Sequence, residues 1–297
     1  MERIELLGTD GLKLAADVAG DRAAPPAVLL HGGGQTRYAW GSTAQVLADR
    51  GWRAYRVDLR GHGESAWSPD GRYGIDRFAG DIVEVCARVG AASGKGVPPV
   101  LVGASLGGIS SLLAIGEADT PIARGLVLVD VAPRTEPEGV QRIGDFMAAN
   151  LETGFGSLEE VADAVAAYNP HRPRPTDLSG LKKNVRQRED GRWVWHWDPA
   201  FMRGIEGSTD ETRANDVMNH ERLEAATRRL TVPTLLVRGR MSDLLSEEGA
   251  REMLAMAPHA EYADVAGAGH MVAGDRNDLF NDAIVGFLDR IPPYEAD

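Results

Sequence analysis

A serine between glycines, Gly103-Ala104-Ser105-Leu106-Gly107, follows the apolar run 100–102 and opens the apolar stretch 109–115. The spacing predicts a strand-to-helix turn so tight that larger side chains at the glycines would strike neighbouring backbone. Such a turn presents its serine, and the helix N-terminus behind it favours negative charge. A serine hydroxyl needs a base, and seven histidines are available. His270, in Gly267-Ala268-Gly269-His270-Met271, is the late one placed directly after an expected strand on a glycine-rich loop. Nucleophile Ser105 with base His270 is the expected pair. The turn His31-Gly32-Gly33-Gly34 ends another strand, and its bare backbone can aim an N–H at an oxyanion. Gly33 with the N–H of Leu106 is the expected oxyanion hole, and Gly34 is the second choice. The imidazole of His31 is read as structural, and His62 as folding support.

These side chains need a scaffold that brings distant loops to one edge. Short apolar runs at 27–30, 52–57, 100–102 and 126–131 read as buried strands, and segment 75–89 places apolar residues at helical spacing on one face. Segments 4–7 and 12–18 read as an antiparallel edge hairpin. The alternation resumes with strand 234–237, helix 247–256, strand 260–265 and helix 277–288. The fold class expected is α/β, a mostly parallel sheet of about eight strands flanked by helices. Between its halves, 1–132 and 230–297, residues 133–229 are turn-rich and helical, broken by Pro170, Pro173 and Pro175, and read as an inserted helical cap.

The His31-Gly32-Gly33-Gly34 turn, Asp58-Leu59-Arg60-Gly61-His62-Gly63-Glu64-Ser65, the Ser105 turn and Gly269-His270 together resemble the capped α/β-hydrolase superfamily, near its esterase, haloperoxidase and epoxide hydrolase branches. The resemblance spans nearly the whole chain outside the cap. It implies a cap between the sixth and seventh strands of the sheet and hydrolysis without a cofactor. Epoxide hydrolases and haloalkane dehalogenases carry Asp where this chain has Ser105. The resemblance also implies an acid three residues after a glycine past the seventh strand, but Val237-Arg238-Gly239-Arg240-Met241-Ser242-Asp243 has Ser242 there. The acid is therefore Asp130, at the end of strand 126–129, or Asp243, one residue late, with Asp130 preferred.

The reaction so implied is two-step acyl transfer on an apolar carboxylic ester or lactone. Thioester, amide and peroxide chemistry on the same residues, and a non-enzymatic ligand-binding role, are the alternatives. Substrate contacts are expected from Gly34, Trp40, Met271 and the aromatic cap segment, where Trp195 and Trp197 stand in a chain only 6% aromatic. The net charge of −12 argues against nucleic acid. The basic stretch Arg172, Arg174, Lys182, Lys183, Arg186 and Arg188 reads as a solvated helix face without a ligand. No metal or nucleotide is expected. Gly61-x-Gly63-x-x-Ala66 is followed by Trp67-Ser68-Pro69 instead of a helix, and Gly94-Lys95-Gly96 lacks the rest of a P-loop. One cysteine, no signal-like start and no long apolar run give a cytoplasmic expectation without membrane contact.

Overall fold

The chain begins with β1 (Glu2–Leu7), β2 (Lys13–Ala19), β3 (Pro26–Leu30), α1 (Gly41–Asp49), β4 (Arg53–Val57), α2 (Ile75–Ala92), β5 (Val100–Ala104), α3 (Leu106–Gly116) and β6 (Gly125–Val129). Then come α4 (Pro137–Ala148), α5 (Leu158–Tyr168), a 3-10 turn at Ser179–Lys183, β7 (Val185–Gln187), β8 (Trp193–Trp195), α6 (Pro199–Glu206) and α7 (His220–Arg228). The last elements are β9 (Thr234–Gly239), α8 (Glu247–Met256), β10 (Glu261–Val265) and α9 (Asn277–Leu288). The structure is a computed structural model and describes residues 1–170, 173–206, 219–270 and 277–292. No described helix is long and apolar enough to cross a membrane.

Eight strands form one sheet in the order β1-β2-β4-β3-β5-β6-β9-β10. Only the pairings of β2, with β1 and with β4, are antiparallel. The central strands read as unbroken apolar runs because both sheet faces are covered. Successive side chains nonetheless alternate between two cores. Val28, Leu30, Leu101, Leu126, Leu128 and Leu236 pack with residues of α2, α3 and α7. Ala27, Leu29, Val100, Val102, Val127 and Val237 pack with Ala44 and Leu47 of α1 and with Phe280 and Ile284 of α9.

Topology then fixes where chemistry can sit. From β3 the chain steps outward to β4, crosses back to β5 and proceeds the other way, so winding reverses between β3 and β5. Loops leaving neighbouring strands diverge there and open a crevice at the carboxyl edge. Register sets those ends level: Leu30 lies opposite Gly103, Ala104 opposite Val129, and Val129 opposite Val237. The turns holding His31, Ser105, Asp130 and Gly239 consequently emerge side by side.

Among the described residues, none between β6 and β9 joins the main sheet. The segment is less helical than the sequence pattern suggests, because its aromatic part forms the β7–β8 hairpin. Its last helix is also not over the sheet edge. Helix α7 lies against α3 so closely that a Cβ on Gly116 would stand 2.5 Å from the Ala226 carbonyl oxygen, which makes it part of the core layer. The remainder is stitched to the core through the loop after β4. Gly63 N–H donates to His196 O at 2.8 Å, Asp198 N–H to Gly61 O at 2.8 Å, and the Tyr73 hydroxyl to Asp198 Oδ2 at 2.5 Å.

Candidate active site

Ser105 caps α3 with φ 45° and ψ −115°, a conformation that L-residues with side chains rarely adopt. Its flanking glycines are demanded by contact. A Cβ on Gly103 would come within 2.6 Å of the Gly107 backbone, and one on Gly107 within 2.6 Å of the Leu30 carbonyl oxygen. The turn is pinned by Ser105 N–H donating to Val129 O at 3.3 Å and Gly107 N–H donating to His31 O at 3.2 Å. Ser105 thus stands half-buried at the crevice, in the wall of a cavity of about 330 Å³.

His270 lines the same cavity. Its Nδ1 lies 2.7 Å from Asp130 Oδ2, and since a carboxylate only accepts, that nitrogen carries a proton, so that in the neutral ring Nε2 is the nitrogen with the lone pair. Asp130 is fully buried, at φ 52°, one residue past β6. It is held by its own N–H donating to Val237 O at 2.7 Å, by Gly239 N–H donating to Oδ1 at 3.0 Å, and by the Ser242 hydroxyl donating to Oδ2 at 2.5 Å. Asp243 does not reach the histidine. Its carboxylate pairs with Arg142 of α4 at 2.7 Å and is 43% exposed. Ser242, in the position where the sequence resemblance leads one to look for an acid, instead donates to the carboxylate at the end of the neighbouring strand. A hydroxyl where the resemblance implies a carboxylate was the one signal that could have pointed to this contact.

Among the described residues, the N–H groups of Gly33 and Leu106 have no protein acceptor, whereas Gly34 N–H donates to His62 Nε2 at 3.2 Å. That separates the two glycines. Gly33, Gly34, Trp40 and Trp195 all line the cavity. Trp197 does not; it stacks behind Trp195 with ring centroids 4.8 Å apart, and Trp40 leans on Phe280 at 5.9 Å. Met271 lies outside the described residues. Sequence reasoning missed Met147, whose side chain covers the glycine turn at 3.1–3.2 Å from where a Gly34 Cβ would be. A lone methionine in a helix carries no signal for that role.

His31 and His62 brace the turn from beneath. His31 Nδ1–H donates to Gly32 O at 2.8 Å while Nε2 accepts from Leu59 N–H at 3.0 Å. His62 Nδ1–H donates to Arg60 O at 2.9 Å while Nε2 accepts from Gly34 N–H. Both rings are fully buried with centroids 5.3 Å apart, and a second proton on either Nε2 would face a backbone N–H donor. Burial pulls His31 down to about 4. Burial and the adjacent His31 pull His62 down to about 3. Folded values below the unfolded value near 6.5 mean stability that is present above about pH 6.5 and is lost as pH falls from there toward 4. Each histidine contributes a loss of about 2 kcal/mol by pH 5. Urea unfolding at pH 7.5 and pH 5 is expected to show that decline, and equal stabilities would contradict a neutral pair.

Level strand ends, a strained serine at the crevice and a histidine bonded to a buried carboxylate are the features of a hydrolytic α/β enzyme. The profile of the alpha/beta hydrolase family matches residues 27–283, and the chain belongs to that family and is a hydrolase. It is 29% identical over 274 residues to an esterase of Mycobacterium tuberculosis, covering 90% of this chain and 84% of that one. It is 28% identical over 276 residues to a 3-hydroxybutyrate-oligomer hydrolase of Cupriavidus necator, covering 90% of each. A solved alpha/beta hydrolase from Novosphingobium aromaticivorans superposes with a TM-score of 0.77 at 26% identity over 98% of both chains.

Proposed function

We propose that the chain is a cofactor-independent serine hydrolase that cleaves a small apolar carboxylic ester through an acyl enzyme, under a cap formed by the inserted segment 133–229 without α7. The reading rests above all on the His270 Nδ1–Asp130 Oδ2 contact of 2.7 Å in the cavity that Ser105 lines. Asp130 holds the imidazole in the tautomer whose Nε2 can take the Ser105 proton. Ser105 Oγ then bonds to the carbonyl carbon, and the N–H groups of Gly33 and Leu106 receive the oxyanion. Collapse breaks the ester C–O bond, and the alcohol departs with the proton from His270. Water repeats the sequence, giving up a proton to His270 and releasing the acid. The esterase and oligomer-hydrolase relatives favour an ester over a thioester or amide. A fluorophosphonate probe is expected to label the wild type once per chain and to leave Ser105→Ala unlabelled. Labelling that survives the substitution would remove Ser105 from the nucleophile role.

A further inference from the structure

The described members of the basic stretch of the cap are exposed, as expected, but they lie on loops, the 3-10 turn and β7 and not on one helix face. Among its described members, Arg174 pairs with Asp163 at 2.7 Å, Arg188 pairs with Asp190 at 2.7 Å, and Arg186 stacks over Trp67 at 4.3 Å. Lys183 differs from these: it ends the Ser179–Lys183 turn and lines the cavity that holds Ser105 and His270. We propose that Lys183 selects esters that carry a carboxylate on the part of the substrate remote from the scissile bond. The proposal rests on the ester-hydrolase reading and revises its substrate class from wholly apolar esters to esters whose short chain ends in a carboxylate.

Position and charge support it independently. The Lys183 carbonyl accepts from the Thr36 hydroxyl at 3.3 Å, and Asn184 Oδ1 lies 3.4 Å from the same hydroxyl. Thr36 sits two residues past Gly34, so the backbone that carries Lys183 is tied to the turn that forms the proposed oxyanion site. Three cations gather on the Tyr38 ring: Arg37 at 4.7 Å, Arg56 at 5.1 Å and Lys183 at 5.7 Å from its centroid. Arg37 and Arg56 are neutralised by Asp17, Asp58 and Glu64. No described carboxylate lies within 4 Å of Lys183, and among the described residues lining the cavity there is no Asp or Glu and no other Lys or Arg. In a chain of net charge −12, an exposed ammonium with no described ion-pair partner, set over the ring of Tyr38, which also lines this otherwise neutral cavity, is a local reversal of sign. Such a reversal draws an anion and repels none. A cavity of about 330 Å³ accommodates a short chain between the reacting carbonyl and that charge.

The test compares isosteres in pairs. With the charge in the acyl part, the 4-nitrophenyl monoester of glutaric acid is set against 4-nitrophenyl pentanoate. With the charge in the alcohol part, the butyrate ester of 3-hydroxypropanoate is set against butyl butyrate. In at least one pair, Lys183→Met is expected to lower kcat/KM for the carboxylated member about tenfold, chiefly through KM, while the neutral member changes less than twofold. Lys183→Arg is expected to restore most of the loss. Added salt should weaken the wild-type preference and leave Lys183→Met unaffected. A response in one pair assigns the charge to that side, and a response in both also supports the proposal. Unchanged ratios in both pairs would overturn it. Absence of turnover of all four esters, charged and neutral, by the wild type would instead count against the ester-hydrolase reading, which keeps the two failures apart.

Discussion

Replacing Ser105 by alanine is expected to lower kcat for a short 4-nitrophenyl ester by about a million-fold, leaving only what oriented binding and the oxyanion donors supply. The size follows from the cooperative arrangement: without Oγ, the base and its acid have no proton to move. Steady-state rates of the purified variant, with folding confirmed by circular dichroism, measure it. A loss below a hundredfold would mean that another group attacks the carbonyl. The same position allows a stability test of its function. With φ at 45° and ψ at −115°, Ser105 carries backbone strain of about 1–3 kcal/mol that glycine would not. Ser105→Gly is therefore inactive yet expected to melt higher than Ser105→Ala, by several degrees. That ordering measures the backbone strain which the turn imposes on any residue with a Cβ at this position.

Most of the scaffold was legible because its signals are local. Helices α8 and α9 span the segments their periodicity marks, and the ends of β3, β5 and β6 differ from the apolar runs by one or two residues. Gly103 and Gly107 could be read from the elbow alone, since each glycine answers a contact made within that turn or with the neighbouring strand end. The cap was harder. Proline breaks and scattered apolar residues said that it was folded, but hairpin β7–β8 has three residues in each strand, too few for a period of two to stand out. The alternation of Trp193, Trp195 and Trp197 put these rings on one side without saying which would meet the cavity. That was decided by Trp195 stacking on Trp197 and by the bridge between Trp197 and His62. Lys183 was hidden by its neighbours. In a run of six basic residues, partners 11 residues away in sequence, such as Asp163 for Arg174, cannot be told from none.

The acid is where sequence and structure met least directly, and the paired substitutions Asp130→Asn and Asp243→Asn measure it. Asp130 and His270 are 140 residues apart, and only the level ends of the adjacent strands β6, β9 and β10 bring them together. Asparagine is the informative replacement because it tolerates the left-handed backbone at φ 52° and can still accept from Gly239 N–H through its one oxygen, while its amide nitrogen takes the place of Oδ2, the oxygen shared by the Ser242 hydroxyl and His270 Nδ1. What it loses is the charge and the acceptor facing Nδ1–H. Its amide nitrogen, turned toward the ring, stabilises the tautomer with the proton on Nε2, which cannot serve Ser105. Asp130→Asn is accordingly expected to lower kcat about 10⁴-fold with little change in KM. Asp243→Asn removes an ion pair between α4 and the loop after β9 whose partners are each more than two-fifths exposed, worth well under about 1 kcal/mol after solvent screening. Its kcat should stay within about threefold of wild type, a shift of about 0.65 kcal/mol in the barrier. Ser242→Ala should fall between them, since it strips one of the donors that hold the Asp130 carboxylate but leaves the charge. If Asp243→Asn is the crippled variant and Asp130→Asn turns over normally, the loop after β9 must rearrange in solution to bring Asp243 to the histidine, and Asp130 is left with the role of anchoring the start of the cap.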